Sequence, residues 1–204
     1  MSAPDAPLPN ALNALAVYCG SATPADPIYM ETARMTGRTL AERGITVVYG
    51  GGKLGLMGAV ADSALEAGGK VIGVIPQALV NTEVAHRGLT ELHVVPDMHA
   101  RKALFTSLSD GFVTLPGGVG TMDELWEAVS WAQLGYHAMP VGLFNAGGFY
   151  DKLLDFNRHM IDVGFIRPAH AGILIARDTL PELLDAMAAH EPHTPITSIP
   201  VNRL

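Results

Sequence analysis

Leu115-Pro116-Gly117-Gly118-Val119-Gly120-Thr121-Met122-Asp123-Glu124 reads as the end of a strand, a glycine turn and the start of a helix. The preceding Gly111-Phe-Val-Thr-Leu115 is a short β-branched and aromatic run of the kind that forms a buried strand, and Pro116 stops it because proline has no N–H for the ladder. The glycines permit positive φ and let backbone come close to a ligand. A helix starting near Thr121 would point its unpaired N–H groups and positive dipole end into the same space, which makes an anion site, most naturally for phosphate. Glu124 has two readings. Thr121-x-x-Glu124 matches a capping box, in which the glutamate only ties down an amide; alternatively the acid stands beside the phosphate cradle because the chemistry needs it there.

Working outward, apolar runs alternate with helical patterns. Strands are expected at Ala14–Cys19, Ile45–Tyr49, Lys70–Ile75, Glu91–Val95, Gly111–Leu115, Pro140–Phe144 and Ile173–Ala176. Helices are expected at Pro27–Arg43, from the Gly55-Leu-Met-Gly58 stretch to Ala67, and at Met98–Ser109, Thr121–Trp131, Tyr150–Val163 and Thr179–His190. This order predicts one α/β domain with a doubly wound, mostly parallel, Rossmann-like sheet that binds ligands beyond the carboxyl ends of its strands. The domain is expected over residues 14–190, with a disordered tail at 1–13 and a C-terminal tail at 191–204.

The 204 residues suffice for one domain with a substantial core, and hydrophobic residues make up 49% against 16% charged. A net charge of −7 argues against a nucleic-acid partner, which would need a basic face. Cys19 is the sole cysteine, so no internal disulfide can form. The first residues have neither a basic nor a continuous apolar stretch of signal-peptide type. No run approaches the roughly 18 apolar residues of a membrane span. A cytoplasmic protein without a membrane partner is the expectation.

Other motifs compete with that centre. Gly50-x-Gly52-x-x-Gly55 satisfies the dinucleotide fingerprint, but it follows the second strand, and the next strand ends in Val74-Ile75-Pro76-Gln77 without the acid that would hold a ribose. Lys53 is not followed by Ser or Thr, so there is no Walker A loop. A second glycine loop facing the first, with Gly51 and Gly52 addressing the same phosphorylated ligand, is the more economical reading. Cys19 after an apolar run reads as a buried small hydrophobe, and no Gly-x-Ser-x-Gly elbow offers another nucleophile. The eight histidines form no metal-binding pattern, and His190 and His193 read as surface residues. Met98-His-Ala-Arg101-Lys102 places two cations at a helix start, where they oppose the macrodipole and ask for an anionic partner such as Glu124 or a substrate phosphate.

With Pro116-Gly-Gly-Val-Gly-Thr-Met-Asp-Glu124 and Met98-x-x-Arg101-Lys102 in place, the chain resembles the LOG (Lonely Guy) family of cytokinin riboside 5′-monophosphate phosphoribohydrolases, many of them earlier labelled lysine decarboxylases. The likeness runs from Cys19-Gly20-Ser21 through Tyr49-Gly-Gly-Gly52, Gly55-Leu-Met-Gly58, Val74-Ile-Pro76 and Trp131-Ala-Gln-Leu134 to Gly164-Phe-Ile166. The resemblance implies a catalytic pair, Arg101 and Glu124, and a phosphate cradle of Gly117, Gly118, Gly120 and Thr121. It also implies substrate contacts from Lys102, Met98, Glu83 and Ser21, and a homodimer in which Trp126, Trp131 and methionine-rich surface find cover. The implied activity is hydrolysis of a purine nucleoside 5′-monophosphate to free base and ribose 5-phosphate, with no cofactor and no metal. In that chemistry a carboxylate such as Glu124 steadies an oxocarbenium-like ribose or orients water. Arg101 either holds Glu124 or meets the departing base. A non-catalytic nucleotide-binding module and, more distantly, a pyridoxal-dependent decarboxylase remain as alternatives.

Overall fold

The computed structural model describes residues 11–80 and 85–198. Seven strands form a single sheet: β1 (Ala14–Tyr18), β2 (Thr46–Tyr49), β3 (Val71–Pro76), β4 (Glu91–Val95), β5 (Phe112–Thr114), β6 (Val141–Phe144) and β7 (Leu174–Arg177). Their spatial order is β4-β3-β2-β1-β5-β6-β7, and every neighbouring pair is parallel. The chain begins in the middle, steps outward through β2, β3 and β4, then returns to lay β5 beside β1 and steps outward the other way. The crevice where direction reverses therefore opens beyond the ends of β1 and β5, where the two turns Gly20-Ser21 and Pro116-Gly117 emerge.

Six helices cover the sheet among the described residues: α1 (Pro27–Glu42), α2 (Gly55–Glu66), α3 (Met98–Leu108), α4 (Val119–Leu134), α5 (Asp151–Asp162) and α6 (Leu180–Ala188). The two-residue alternation of β1 sorts them into layers. Leu15, Val17 and Cys19 face a core shared with α1, α2 and α6. Ala16 and Tyr18 face a second core completed by Phe105 of α3, Leu125 and Ala128 of α4, and the partly buried Leu153 and Leu154 of α5. With both faces covered, the inner strands read as unbroken apolar runs.

Local chemistry sets the helix ends that matter for the crevice. Asp97 caps α3, its carboxylate accepting from the Ala100 N–H at 2.8 Å. The glycine-motif helix departs from expectation. It starts at Val119 and runs to Leu134, where Gly135 closes it in the left-handed region at φ 87°. Its N-cap is Gly118, in extended conformation and without a side-chain capping bond, so Thr121 lies inside the first turn and the capping box does not form. At the other end of the chain, His193 Nε2 lies 2.8 Å from the Ala132 carbonyl and His170 Nε2 lies 3.1 Å from that of Thr194. His190 and His193 are half-buried rather than free on the surface, His193 against the end of α4.

Candidate active site

The two turns at the switch point are bonded to each other. Leu115 N–H donates to the Tyr18 carbonyl at 2.8 Å, Gly20 N–H to that of Pro116 at 3.1 Å, and Met57 N–H at the start of α2 to that of Gly20 at 3.3 Å. From the α5 side the buried Tyr150 hydroxyl donates to the Leu115 carbonyl at 2.7 Å. Three loop ends thus make a fixed rim. Inside it lies a cavity of about 550 Å³, within the range of small-molecule sites.

One wall of the cavity is the start of α4. Gly117, Gly118, Gly120 and Thr121 all line it. A Cβ on Gly117 would fall 2.1 Å from Thr121 Oγ1, so that glycine is required by the packing of the buried threonine beneath it. Gly118 and Gly120 differ, because a Cβ on either would meet nothing within 4 Å and neither has positive φ. Their bareness serves no internal contact and leaves the helix N-terminus open to the cavity, the arrangement that suits a phosphate.

Facing this wall are Met98 and Arg101 of α3, with Ser21 from the β1 turn and Glu124 from α4 also on the lining. Arg101 is 5% exposed. Its guanidinium donates from Nη2 to the Gly50 carbonyl at 3.3 Å, stands 3.8 Å from Met98 Sδ through Nη1, and has Cζ 5.5 Å from the centre of the Phe105 ring. Its buried Nε–H has no hydrogen-bond partner among the described residues. Half-buried Glu124 adds negative charge to this part of the cavity. Burial, then the negative charges of Glu124 and Glu127, push the Tyr18 hydroxyl well above its ordinary value, against the opposing charge of Arg101. Burial and Glu124 likewise push the Cys19 thiol far up, so Cys19 lines the cavity as a protonated thiol and not as a nucleophile.

The remaining sequence candidates lie elsewhere. Lys102 does not line the cavity; its ammonium sits 2.8 Å from Asp123 Oδ2 and 3.1 Å from Glu127 Oε2. The anionic partners of the basic pair's lysine are therefore these two acids of α4. Gly51 and Gly52 are also off the lining and serve as structural anchors. Gly51 accepts from the His86 N–H at 2.8 Å, and Gly52 accepts from the Tyr49 hydroxyl at 3.1 Å. Glu83 lies outside the described residues. What the sequence did not single out is Gly50, which seats Arg101, and the apolar side of the cavity, where Tyr29, Leu56, Met57, Leu79 and Phe149 gather from four separate segments. Among the described residues no lysine lines the cavity to supply the amine of a pyridoxal Schiff base. Among the described residues no three His, Cys, Asp or Glu side chains are grouped to hold a metal.

Residues 57–187 match the family model described as "Possible lysine decarboxylase". The chain is 43% identical over 178 residues to the cytokinin riboside 5′-monophosphate phosphoribohydrolase LOG7 of Arabidopsis thaliana, covering 87% of this chain and 82% of that protein. It is 44% identical over 178 residues to the enzyme LOG of Oryza sativa subsp. japonica, covering 87% and 74%. Among solved structures, the molybdenum cofactor binding protein of Rippkaea orientalis superposes with a TM-score of 0.63 at 20% identity, covering 85% of this chain and 95% of that one, a likeness of fold alone. With relatives this similar along most of its length, the chain belongs to the LOG family of cytokinin riboside 5′-monophosphate phosphoribohydrolases.

Proposed function

We propose that this protein hydrolyses the N-glycosidic bond of purine, cytokinin-type nucleoside 5′-monophosphates, releasing free base and ribose 5-phosphate. The observation that carries the reading is one cavity holding a bare glycine-lined helix N-terminus together with a buried guanidinium and a carboxylate. The 5′-phosphate occupies the amides of Gly118 and Gly120 above Thr121, which fixes the ribose and converts remote binding energy into orientation at the reacting bond. Glu124 then stands by the anomeric carbon. Its charge stabilises the oxocarbenium-like ribose and orients the water that adds to that carbon as the base departs with a proton. Arg101, whose Nε–H lacks a partner among the described residues, donates to the substrate. The apolar wall of Leu56, Met57, Leu79 and Met98, with Tyr29 and Phe149, receives the base and an apolar substituent on it. Ser21 at the rim and Glu83 add contacts to the sugar or base.

We also propose that the working form is a homodimer in the cytoplasm. Helix α5 has no buried residue in the single chain, while Phe156 and Phe165 are 57% and 85% exposed. Apolar area of that kind seeks a partner surface. No helix among the described residues is long and apolar enough to cross a membrane, and the free thiol of Cys19 calls for no oxidising compartment. The deciding experiment is incubation with adenosine monophosphate, an N6-prenylated adenosine monophosphate and the matching nucleosides, followed by chromatography. Free base with ribose 5-phosphate is the expected product. Nucleotide bound but unchanged after prolonged incubation would mark a binding module instead.

A further inference from the structure

The Arg-Lys pair of α3 sends its two cations in different directions. Arg101 goes to the cavity, whereas Lys102 reaches α4 and bridges Asp123 and Glu127, one helical turn apart, at 2.8 and 3.1 Å. Only 13% of the Lys102 side chain is exposed. Burial draws its ammonium pKa down, but the hydrogen bonds and charges of Asp123 and Glu127 outweigh that and hold it above the ordinary lysine value, so Lys102 stays charged at neutral pH. The neighbours along the chain give the bridge its meaning. Lys102 directly follows Arg101, and Asp123 directly precedes Glu124.

We propose that Lys102 is a positioning residue: its ion pairs with Asp123 and Glu127 staple the start of α3 to the start of α4 and so hold Arg101 and Glu124 at a fixed separation across the cavity. This rests on the reading of Arg101 and Glu124 as the catalytic pair. It differs from a direct contact between Lys102 and the substrate phosphate in what it requires of the enzyme. A phosphate contact strengthens binding, whereas a staple acts on the geometry of the chemical step, where a displacement of about 1 Å costs on the order of 10²-fold.

The test compares Lys102→Met, the double variant Asp123→Asn/Glu127→Gln, the triple combination and Lys102→Arg, each checked for folding by thermal unfolding. The staple predicts that Lys102→Met and the double variant each lower kcat by roughly 10- to 100-fold, with KM for the monophosphate little changed. It further predicts that the triple variant is no worse than either, because residues acting through one interaction are not additive. Lys102→Arg, which still reaches both acids, should recover most of the loss. A rise in KM at unchanged kcat in Lys102→Met, or wild-type kcat in the double variant, would overturn it. The wild-type assay separates this from the wider reading: absence of turnover on every nucleotide sinks the hydrolase, not the staple. The staple is then judged by the NMR resonance of the Arg101 Nε–H, assigned from its loss in Arg101→Lys. That resonance should move alike in Lys102→Met and in the double variant, and an unmoved resonance in both rejects the proposal.

Discussion

Gly50 is a glycine because Arg101 occupies the place of its side chain: a Cβ there would lie 2.2 Å from Arg101 Nη2 and 2.9 Å from Met57 Sδ, while the Gly50 carbonyl accepts from the same guanidinium at 3.3 Å. Both atoms that would be struck are the far ends of flexible side chains, and Gly50 does not have positive φ. Gly50→Ala is therefore expected to fold with nearly wild-type stability while displacing the guanidinium. Turnover of the monophosphate should fall on the order of 10²-fold, the cost of misplacing a catalytic group by about 1 Å. Steady-state kinetics beside a thermal melt checks it; a folded variant with wild-type kcat would show that the seat of Arg101 is immaterial.

Glu124 gives a second test, sharpened by the helix start at Val119. With Gly118 as N-cap and Thr121 inside the first turn, the glutamate is not the reciprocal partner of a capping box. Removing its charge in Glu124→Gln should leave the fold intact and lower turnover by roughly 10²–10⁴-fold, or about 3–5 kcal/mol of barrier. Nucleotide affinity, read by titration calorimetry, should hold or improve, since a neutral side chain no longer opposes the phosphate. A folded Gln variant with unimpaired turnover would remove the carboxylate from the chemistry.

These two residues differ in how plainly the sequence announces them. Glu124 stands in a local motif, and Arg101 is conspicuous as a cation at a helix start. The strands were equally legible, because a parallel sheet covered on both faces writes itself as separate apolar runs such as Leu15–Cys19 and Val71–Ile75. Gly50 was not, since the contact that explains it spans 51 residues and leaves no local trace beyond one glycine among three. The partners of Lys102 were not legible for a related reason. Its position asks for an anion, and the fold sets Asp123 and Glu127 of α4 at 2.8 and 3.1 Å from its ammonium, a choice that no local sequence signal carries. The start of α4 was displaced by two residues because a glycine in extended conformation caps it, where a hydroxyl was the stronger sequence signal.

The half-buried His137 predicts a pH dependence of stability. Its Nδ1 accepts from the Met139 N–H at 3.3 Å, so the proton sits on Nε2, which donates to the Ala128 carbonyl at 3.0 Å. The neutral ring is fully satisfied and a second proton would break the first of these bonds. Burial is the largest cause holding its pKa below the ordinary histidine value; the Ala128 carbonyl works against it and nearby His193 adds to it. His190, on the closing segment, is lowered by burial and by His193, against the Ala138 carbonyl. Because the folded-state pKa is the lower one, the contribution to stability is complete above the unfolded value of about 6.5 and is lost as pH falls through the folded one. Urea midpoints should fall between about pH 7 and pH 5.5, and His137→Gln, which cannot titrate, should fall less steeply. Equal slopes would show that His137 is not linked to folding.

The homodimer is tested on the surface that supports it. Sedimentation should give twice the 21.5 kDa of one chain. Phe156→Glu/Phe165→Glu should shift the protein toward monomer, because a charge desolvated in an apolar contact is costly. A wild-type protein that sediments as a fully active monomer would retire the dimer.

Gly120 separates fold from function most cleanly, since the two should move in opposite directions. It lies in the first turn of α4, its φ is not positive, and a Cβ there meets nothing within 4 Å. For the empty protein Gly120→Ala is thus free of clash and reduces the freedom of the unfolded chain, a gain of about 0.5–1 kcal/mol. The same methyl stands in the cavity at the helix N-terminus, where on the proposed reading the phosphate approaches the bare amides. The expected result is a raised melting temperature together with a KM for the monophosphate at least about tenfold higher, equivalent to about 1.4 kcal/mol of lost binding. Cleavage of the matching nucleoside, expected to be slow in the unaltered protein, should be unaffected because it places nothing on the glycine turn. A stabilised variant that keeps wild-type KM for the monophosphate would mean that the phosphate does not sit on this helix end, and the placement of the ribose over Glu124 would fall with it.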